Sequence, residues 1–189
     1  MPIKLVSKIV NGVKGGVVGT LKGAADVGST IVSSVKDVAV TAIKGTGELV
    51  VKGIQVPASI VKGSVEGVVN IGLSFIKAIK GIVNGAVQGA MASGVDQKDA
   101  VRGSVQQAIY SAKELGENVG MVAVAAVVGA VSGVKQVGGD TLGATKTAII
   151  AAMDAARDIG GGTVDAVKES LNDGVDGAKK ILDEIKPDK

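Results

Sequence analysis

Residues 154–179 read DAARDIGGGTVDAVKESLNDGVDGAK, and one phrase returns in them three times: Asp154-Ala-Ala-Arg157, Asp165-Ala-Val-Lys168 and Asp176-Gly-Ala-Lys179. The step is eleven residues, and Asp99-Ala-Val-Arg102 lies on the same count. Carried from position 14 to 179, the count visits sixteen positions, and ten are basic: Lys14, Lys36, Lys80, Arg102, Lys113, Lys135, Lys146, Arg157, Lys168 and Lys179. Evenly scattered, the 21 basic residues would put about two there. Four residues upstream of each slot the series from Val10 and Leu21 to Val164 and Val175 is large and aliphatic at fourteen of sixteen positions, Lys98 and Gly120 being the exceptions. No insertion shifts the phase.

Eleven residues close three helical turns at about 3.67 residues per turn. Wound that way, each unit is amphipathic. Large aliphatics and Ala share somewhat less than half the circumference, Lys or Arg borders them on one side, and Gly, Ser or Ala on the other. A β-solenoid would need apolar alternation at period two, which the 3-4-4 spacing of the aliphatics excludes. The acidic residues three places before Arg102, Arg157, Lys168 and Lys179 support an exposed helical face by about 0.2–0.5 kcal/mol per pair.

A second period lies on the first. At one hendecad position the residues run Val61, Gly72, Val83, Gly94, Val105, Gly116, Val127, Gly138, Ile149, Gly160, Leu171, and Gly28 belongs to the same series. Two residues after these glycines come Thr30, Ser74, Asp96, Asn118, Asp140 and Gly162. A glycine just past a helix end takes the left-handed conformation, and a short polar side chain then caps the next start. The spacing predicts helices over 3–27, 31–50, 57–71, 75–93, 97–115, 119–137, 141–159 and 163–185, with Pro57 in the first turn of the third. The expected fold is all-α: amphipathic hendecad repeats forming about eight helices, as an antiparallel helical array or bundle or as long kinked helices. Gly28, Gly72, Gly94, Gly116, Gly138 and Gly160 are its expected helix-breaking positions, and at each the chain either reverses or only bends. Gly63-Gly67, Gly81-Gly85-Gly89 and Gly129-Gly133 form small-xxx-small runs that permit close helix approach.

Composition narrows the chemistry. Among 189 residues there are 29 Gly, one Phe, one Tyr, and no Trp, Cys or His. No Ser-His-Asp or Cys-His nucleophile, imidazole or thiolate zinc site, or disulfide is available, and nothing is present to stack nucleic-acid bases. Gly138–Thr147 has the outline of a phosphate loop but lacks its Gly-Lys-Ser/Thr junction, and the repeat explains its glycines. Asp154, Asp158 and Asp165 recur at repeat spacing beside Arg157 and Lys168, which makes them a solvated face, not a metal cluster. No catalytic, cofactor or metal site is expected, and no nucleic-acid partner.

The net charge of +3 hides a gradient. Residues 1–92 form basic amphipathic repeats at +6, and 93–189 acidic-leaning repeats at −3, within one continuous repeat domain. The longest uncharged run, Asn118–Val134, is at the lower limit of about 17 residues for crossing a bilayer. Gly120–Ala130 within it is apolar all round, so it is expected to be the most buried segment or to dip deepest into lipid. Residues 1–16 carry lysines at helical spacing in place of the apolar core of a secretory signal.

Val13-Lys-Gly-Gly-Val-Val18 and Val61-Lys-Gly-Ser-Val-Glu-Gly-Val-Val69 resemble the repeats of synucleins. The paired hendecad with a breaker every 22 residues is similar to those of exchangeable apolipoproteins and perilipins, with Gly where the apolipoproteins use Pro. The resemblance is one of repeat style across nearly the whole chain, and it implies a protein that coats membranes or lipid particles. Independently, lysines on an apolar border can lay their stems on the apolar face and their ammonium groups among phosphates. Lys14, Lys36, Lys80, Arg102, Lys113 and Lys135 are the candidate lipid-border residues. The expected function is non-enzymatic binding to an anionic lipid or membrane surface with self-association, in the cytoplasm and peripheral to a membrane or lipid particle. The alternative is a filament, tube or coat subunit that assembles without lipid.

Overall fold

A computed structural model describes residues 2–21, 27–45 and 53–185. Among these residues the chain forms nine helices: α1 Pro2–Leu21, α2 Val27–Gly45, α3 Gln55–Asn70, α4 Phe75–Ala92, α5 Gln97–Glu114, α6 Val119–Gln136, α7 Thr141–Ile159, α8 Thr163–Gly174 and α9 Ala178–Glu184. The predicted continuations of the first helix through 22–26 and of the second through 46–50 lie outside the described residues.

Glycine sets the helix ends. Gly72, Gly94, Gly116, Gly138 and Gly160 all have φ between 70° and 92°. At the first of them Gly72 N–H donates to Val69 O and Leu73 N–H to Val68 O, the paired bonds of a Schellman cap, and Gly94, Gly116 and Gly138 repeat the pattern. Asp96, Asn118 and Asp140 then accept from Lys98, Met121 and Gly143 N–H at 3.0 Å, opening the next helix. At all five glycines the chain reverses. Gly28 does not behave this way: α2 is already under way at Val27, so Gly28 and Thr30 are first-turn residues. Glycine permits left-handed backbone but does not impose it. The predicted last helix also divides, at Val175–Gly177, where Gly177 is left-handed (φ 77°) and sends α9 back across α7 and α8.

The reversals build two layers. Each helix packs on its sequence neighbour across the layers and on the helix two places away within its own, so α1, α3, α5 and α7 form one layer and α2, α4, α6 and α8 the other. Consecutive helices are antiparallel: a side chain at Gly12 would meet Ala42, and one at Gly16 would meet Val38. Helices of one layer are parallel, and glycines set their spacing. A Cβ at Gly63 would stand 2.5 Å from Val10 O, and at Gly67 3.1 Å from Lys14 O. In the other layer a Cβ at Gly85 would stand 2.6 Å from Val32 O, and at Gly133 2.8 Å from Asn84 O. The small-xxx-small runs are therefore the seams within each layer, where Cα–H groups can lie against carbonyl oxygens.

Between the layers runs a core of Val, Ile and Ala with a single aromatic, Phe75. In several helices the two hendecads are not equivalent in it. Val65 and Met153, late in their helices, are buried, whereas Ile54 and Leu142, eleven places earlier, are 36% and 78% exposed. The earlier copy falls at the helix start, beyond the reach of the facing layer. Among the described residues the longest unbroken buried stretch is Ile82–Ala90 on α4, not Gly120–Ala130, since Met121, Val124, Ala125 and Val128 of α6 turn outward.

Two classes of glycine substitution should separate in thermal denaturation. Gly63→Ala and Gly85→Ala should lower stability by about 1–3 kcal/mol through overpacking, although alanine is the better helix former. Gly15→Ala and Gly19→Ala, where nothing lies within 4 Å, should raise it by about 1 kcal/mol each. Gly116→Ala, placing a side chain at φ +70°, should cost about 1–2 kcal/mol.

Candidate functional site

Because same-layer helices run parallel, a slot on one helix meets its counterpart on the next at nearly constant separation. On the outer surface of α1, α3, α5 and α7 this produces polar ties. Lys14 Nζ lies 3.7 Å from Glu66 Oε2, and Arg102 Nη2 lies 3.4 Å from Asp154 Oδ2. Arg157 Nη1, one turn after Asp154, reaches its other oxygen at 3.2 Å. Tyr110 Oη donates to Asp158 Oδ2 at 2.6 Å. Partial burial, that hydrogen bond and the charges of Asp158 and Asp154 push the phenol up to about 12, against a smaller opposing effect of Arg102. Two of the expected lipid-border residues, Lys14 and Arg102, thus hold protein carboxylates. Lys113 is exposed in the last turn of α5.

The opposite surface, made by α2, α4, α6 and α8, is different. The outward residues of α2 and α4 include Lys36, Lys44, Lys77 and Lys80 against one carboxylate, Asp37. Beside them α6 turns out Met121, Val124, Ala125, Val128, Val131 and Ser132, at 3-4 spacing, before reaching Lys135 in its last turn. Met121 is 56% exposed, and the strip carries no charge from Asn118 to Val134. Lys80 flanks the strip directly, because its carbonyl lies against Gly129 of α6. At the α4–α6 seam Gln88 donates to Asn84 Oδ1 at 2.7 Å and to Gln136, tying the two helices through neutral polar groups. On the far side α8 presents Asp165, Glu169 and Asp173 with Lys168, so this surface grades from basic through apolar to acidic.

Three of the expected lipid-border residues, Lys36, Lys80 and Lys135, therefore share the surface with the apolar strip, while Lys14, Arg102 and Lys113 lie on the other. The expected helix-breaking glycines, Gly28 excepted, sit in the turns and contribute to neither surface. Asp154 and Asp158 are engaged by Arg102, Arg157 and Tyr110, and among the described residues no group of three or more acidic side chains could hold a metal ion. Gly138–Thr147 is a helix–helix turn followed by the first turns of α7, and Asp140 caps that helix and exchanges hydrogen bonds with Gln97. Tyr110 and the outward strip of α6 were not marked by the repeat. Tyr110 is the single tyrosine, and the strip was hidden inside a run that is apolar on every side.

No protein-family model matches the chain, nor does any curated protein sequence. The chain is similar to the crystal structure of a de novo designed helical repeat protein, at 16% identity and a TM-score of 0.54, over 97% of this chain and 96% of that one. That likeness is one of fold: a helical repeat architecture.

As the sole tyrosine, Tyr110 can be titrated alone by its phenolate absorbance. The midpoint should lie about 12, and Asp158→Asn should bring it back toward the ordinary 10.0. A phenol raised on folding stabilises the fold fully below the unfolded value. That contribution should therefore be lost between pH 10.0 and about 12, and urea titrations across this window would register it.

Proposed function

We propose that this helical repeat protein is a non-enzymatic binder of anionic lipid surfaces, docking as a folded array through the outer surface of α2, α4 and α6. The observation that carries the reading is the uncharged outward strip of α6, Met121 to Ser132, lying beside Lys77, Lys80 and Lys135. A lipid surface offers an apolar layer beneath a layer of phosphate, and the strip and its lysines match that order. Each lysine near such a surface adds about 1 kcal/mol, so the four on α2 and α4 orient the array with its acidic α8 side lifted away. α6 also supports the reading as the one helix among the described residues long and apolar enough to cross a membrane, half of it buried in the array.

The apolar faces of the repeat are already spent on one another, which distinguishes this mode from that of chains that fold on contact with lipid. Helicity should therefore change little on binding. The chain should co-sediment with vesicles rich in phosphatidylserine at low salt, and release as salt rises. Met121→Asp with Val128→Asp, or Lys77→Glu with Lys80→Glu, should each weaken binding tenfold or more, about 1.4 kcal/mol, without lowering the melting temperature comparably. No sedimentation at low salt would refute the reading. Undiminished binding of the α6 double variant would refute the assigned face.

A further inference from the structure

At four places in the chain Asn or Asp precedes Gly: Asn11-Gly12, Asn84-Gly85, Asp173-Gly174 and Asp176-Gly177. Three of these steps lie in helices, α1, α4 and α8. There ψ of about −42° turns the next amide away from the side chain, and the helix ladder engages its hydrogen. Asn84 is buried as well, with Gly85 pressed against Val32 O. The fourth step is different. Val175–Ala178 is a β-turn, closed by Ala178 N–H donating to Val175 O at 3.1 Å, with Gly177 at φ 77° and ψ −2°. No described residue other than glycine has positive φ, so the turn is type II, with Asp176 and Gly177 as its central pair. The amide between them takes no part in the hydrogen bond of the turn, and both residues are exposed.

We propose that Asp176 is a site of self-modification: its carboxyl condenses with the Gly177 amide, the ring reopens as isoaspartate, and the change unlatches α9. The Gly177 nitrogen attacks Asp176 Cγ. An N–Cγ bond forms as the Cγ–OH bond breaks, and the amide hydrogen leaves with that hydroxyl as water, giving a cyclic succinimide. Solvent water then adds to the main-chain carbonyl carbon of Asp176 and breaks its bond to nitrogen. The chain now runs through Cβ and Cγ, the former main-chain carbonyl is the free carboxylate, and the mass is unchanged. Glycine favours the attack, because no Cβ shields its nitrogen. Bringing nitrogen to Cγ requires rotation about ψ of Asp176, which an exposed turn held by its own hydrogen bond allows. Asp173-Gly174 is denied that rotation, since Gly174 ends α8 against Val124 of α6. The product lengthens the backbone by a carbon between Val175 and Ala178, and Ala178 and Leu182 are the side chains that α9 buries. Besides them, this seven-residue helix is held by the exposed pair of Lys146 and Glu184 at 3.7 Å, so a displaced start leaves it little anchorage. The site shares no residue with the α2–α4–α6 surface, so it stands or falls independently of the lipid-surface reading.

The test ages the full chain in warm neutral buffer and locates isoaspartate by enzymatic isoaspartyl methylation and electron-transfer mass spectrometry of its peptides. Isoaspartate should build up at Asp176 while Asn11, Asn84 and Asp173 stay unmodified. In urea, where no helix protects them, those three should react as well. Asp176→Glu, which would have to close a larger ring, should lose the modification. Asp176→Asn should reach the same product, releasing ammonia in place of water. Release of α9 is read by trypsin: cleavage after Lys179 and Lys180 should accelerate in the aged wild-type chain and stay unchanged in aged Asp176→Glu. Absence of isoaspartate at Asp176 in the folded chain, or equal reaction at Asp173, overturns the site. Isoaspartate at Asp176 with no faster cleavage overturns the unlatching.

Discussion

The contact on which the rest of the array depends is the approach of a glycine Cα to a carbonyl of the parallel helix two places back. Gly63 of α3 against α1, Gly85 of α4 against α2 and Gly133 of α6 against α4 leave no room for a methyl group, and Gly67 of α3 leaves little. At that distance the backbones themselves are in contact, and side chains as small as Val and Ala suffice to fill what is left. This is why a core with one Phe and no Trp can be continuous: the helices of each layer are drawn together until small residues close the gaps. The cost is borne by the helices, since each glycine weakens its own helix by about 1 kcal/mol relative to alanine. The helices therefore exist only as members of the array.

Much of this was legible. Helix ends were readable because a left-handed residue and a capping side chain are local requirements met by Gly-x-Asp or Gly-x-Asn, so 75–93, 97–115, 119–137 and 141–159 agree with α4 to α7 within a residue or two. The glycine stripes were readable as places of close approach. Their partners were not, because a period states what each helix carries and is silent on which helix faces it. Gly28 misled for a related reason: it keeps the phase of the breakers, but the helix around it starts earlier. The bend at Gly177 was missed because Gly177 lies off the breaker series, in the phase of the close-packing glycines Gly67, Gly89 and Gly133.

The candidate surfaces were legible in part. Basic slots at period eleven identified residues that are exposed or half-exposed, but alternate helices point to opposite sides, so one sequence series is dealt out to two surfaces. Lys80 ends beside an apolar strip and Arg102 beside Asp154, although the repeat treats them alike. The strip on α6 could not be separated from its buried side, because Val, Ala and Gly occupy both. Tyr110 falls at a position that holds Glu66 and Asp154 in the neighbouring helices of its layer, and only the pairing of α5 with α7 gives its hydroxyl a carboxylate.

The alternation of layers imposes a parity on this chain. Two consecutive helices, 44 residues, form the smallest unit that returns the backbone to the same layer and direction. Gain or loss of such a pair leaves every later residue on its original side. Gain or loss of a single 22-residue helix would carry all subsequent helices into the other layer, exchanging the surface of Lys80 and Met121 for that of Arg102 and Tyr110 downstream. Changes of length in this architecture are thus either silent or wholesale, and a count of helices, odd or even, decides which chemistry faces outward on each side.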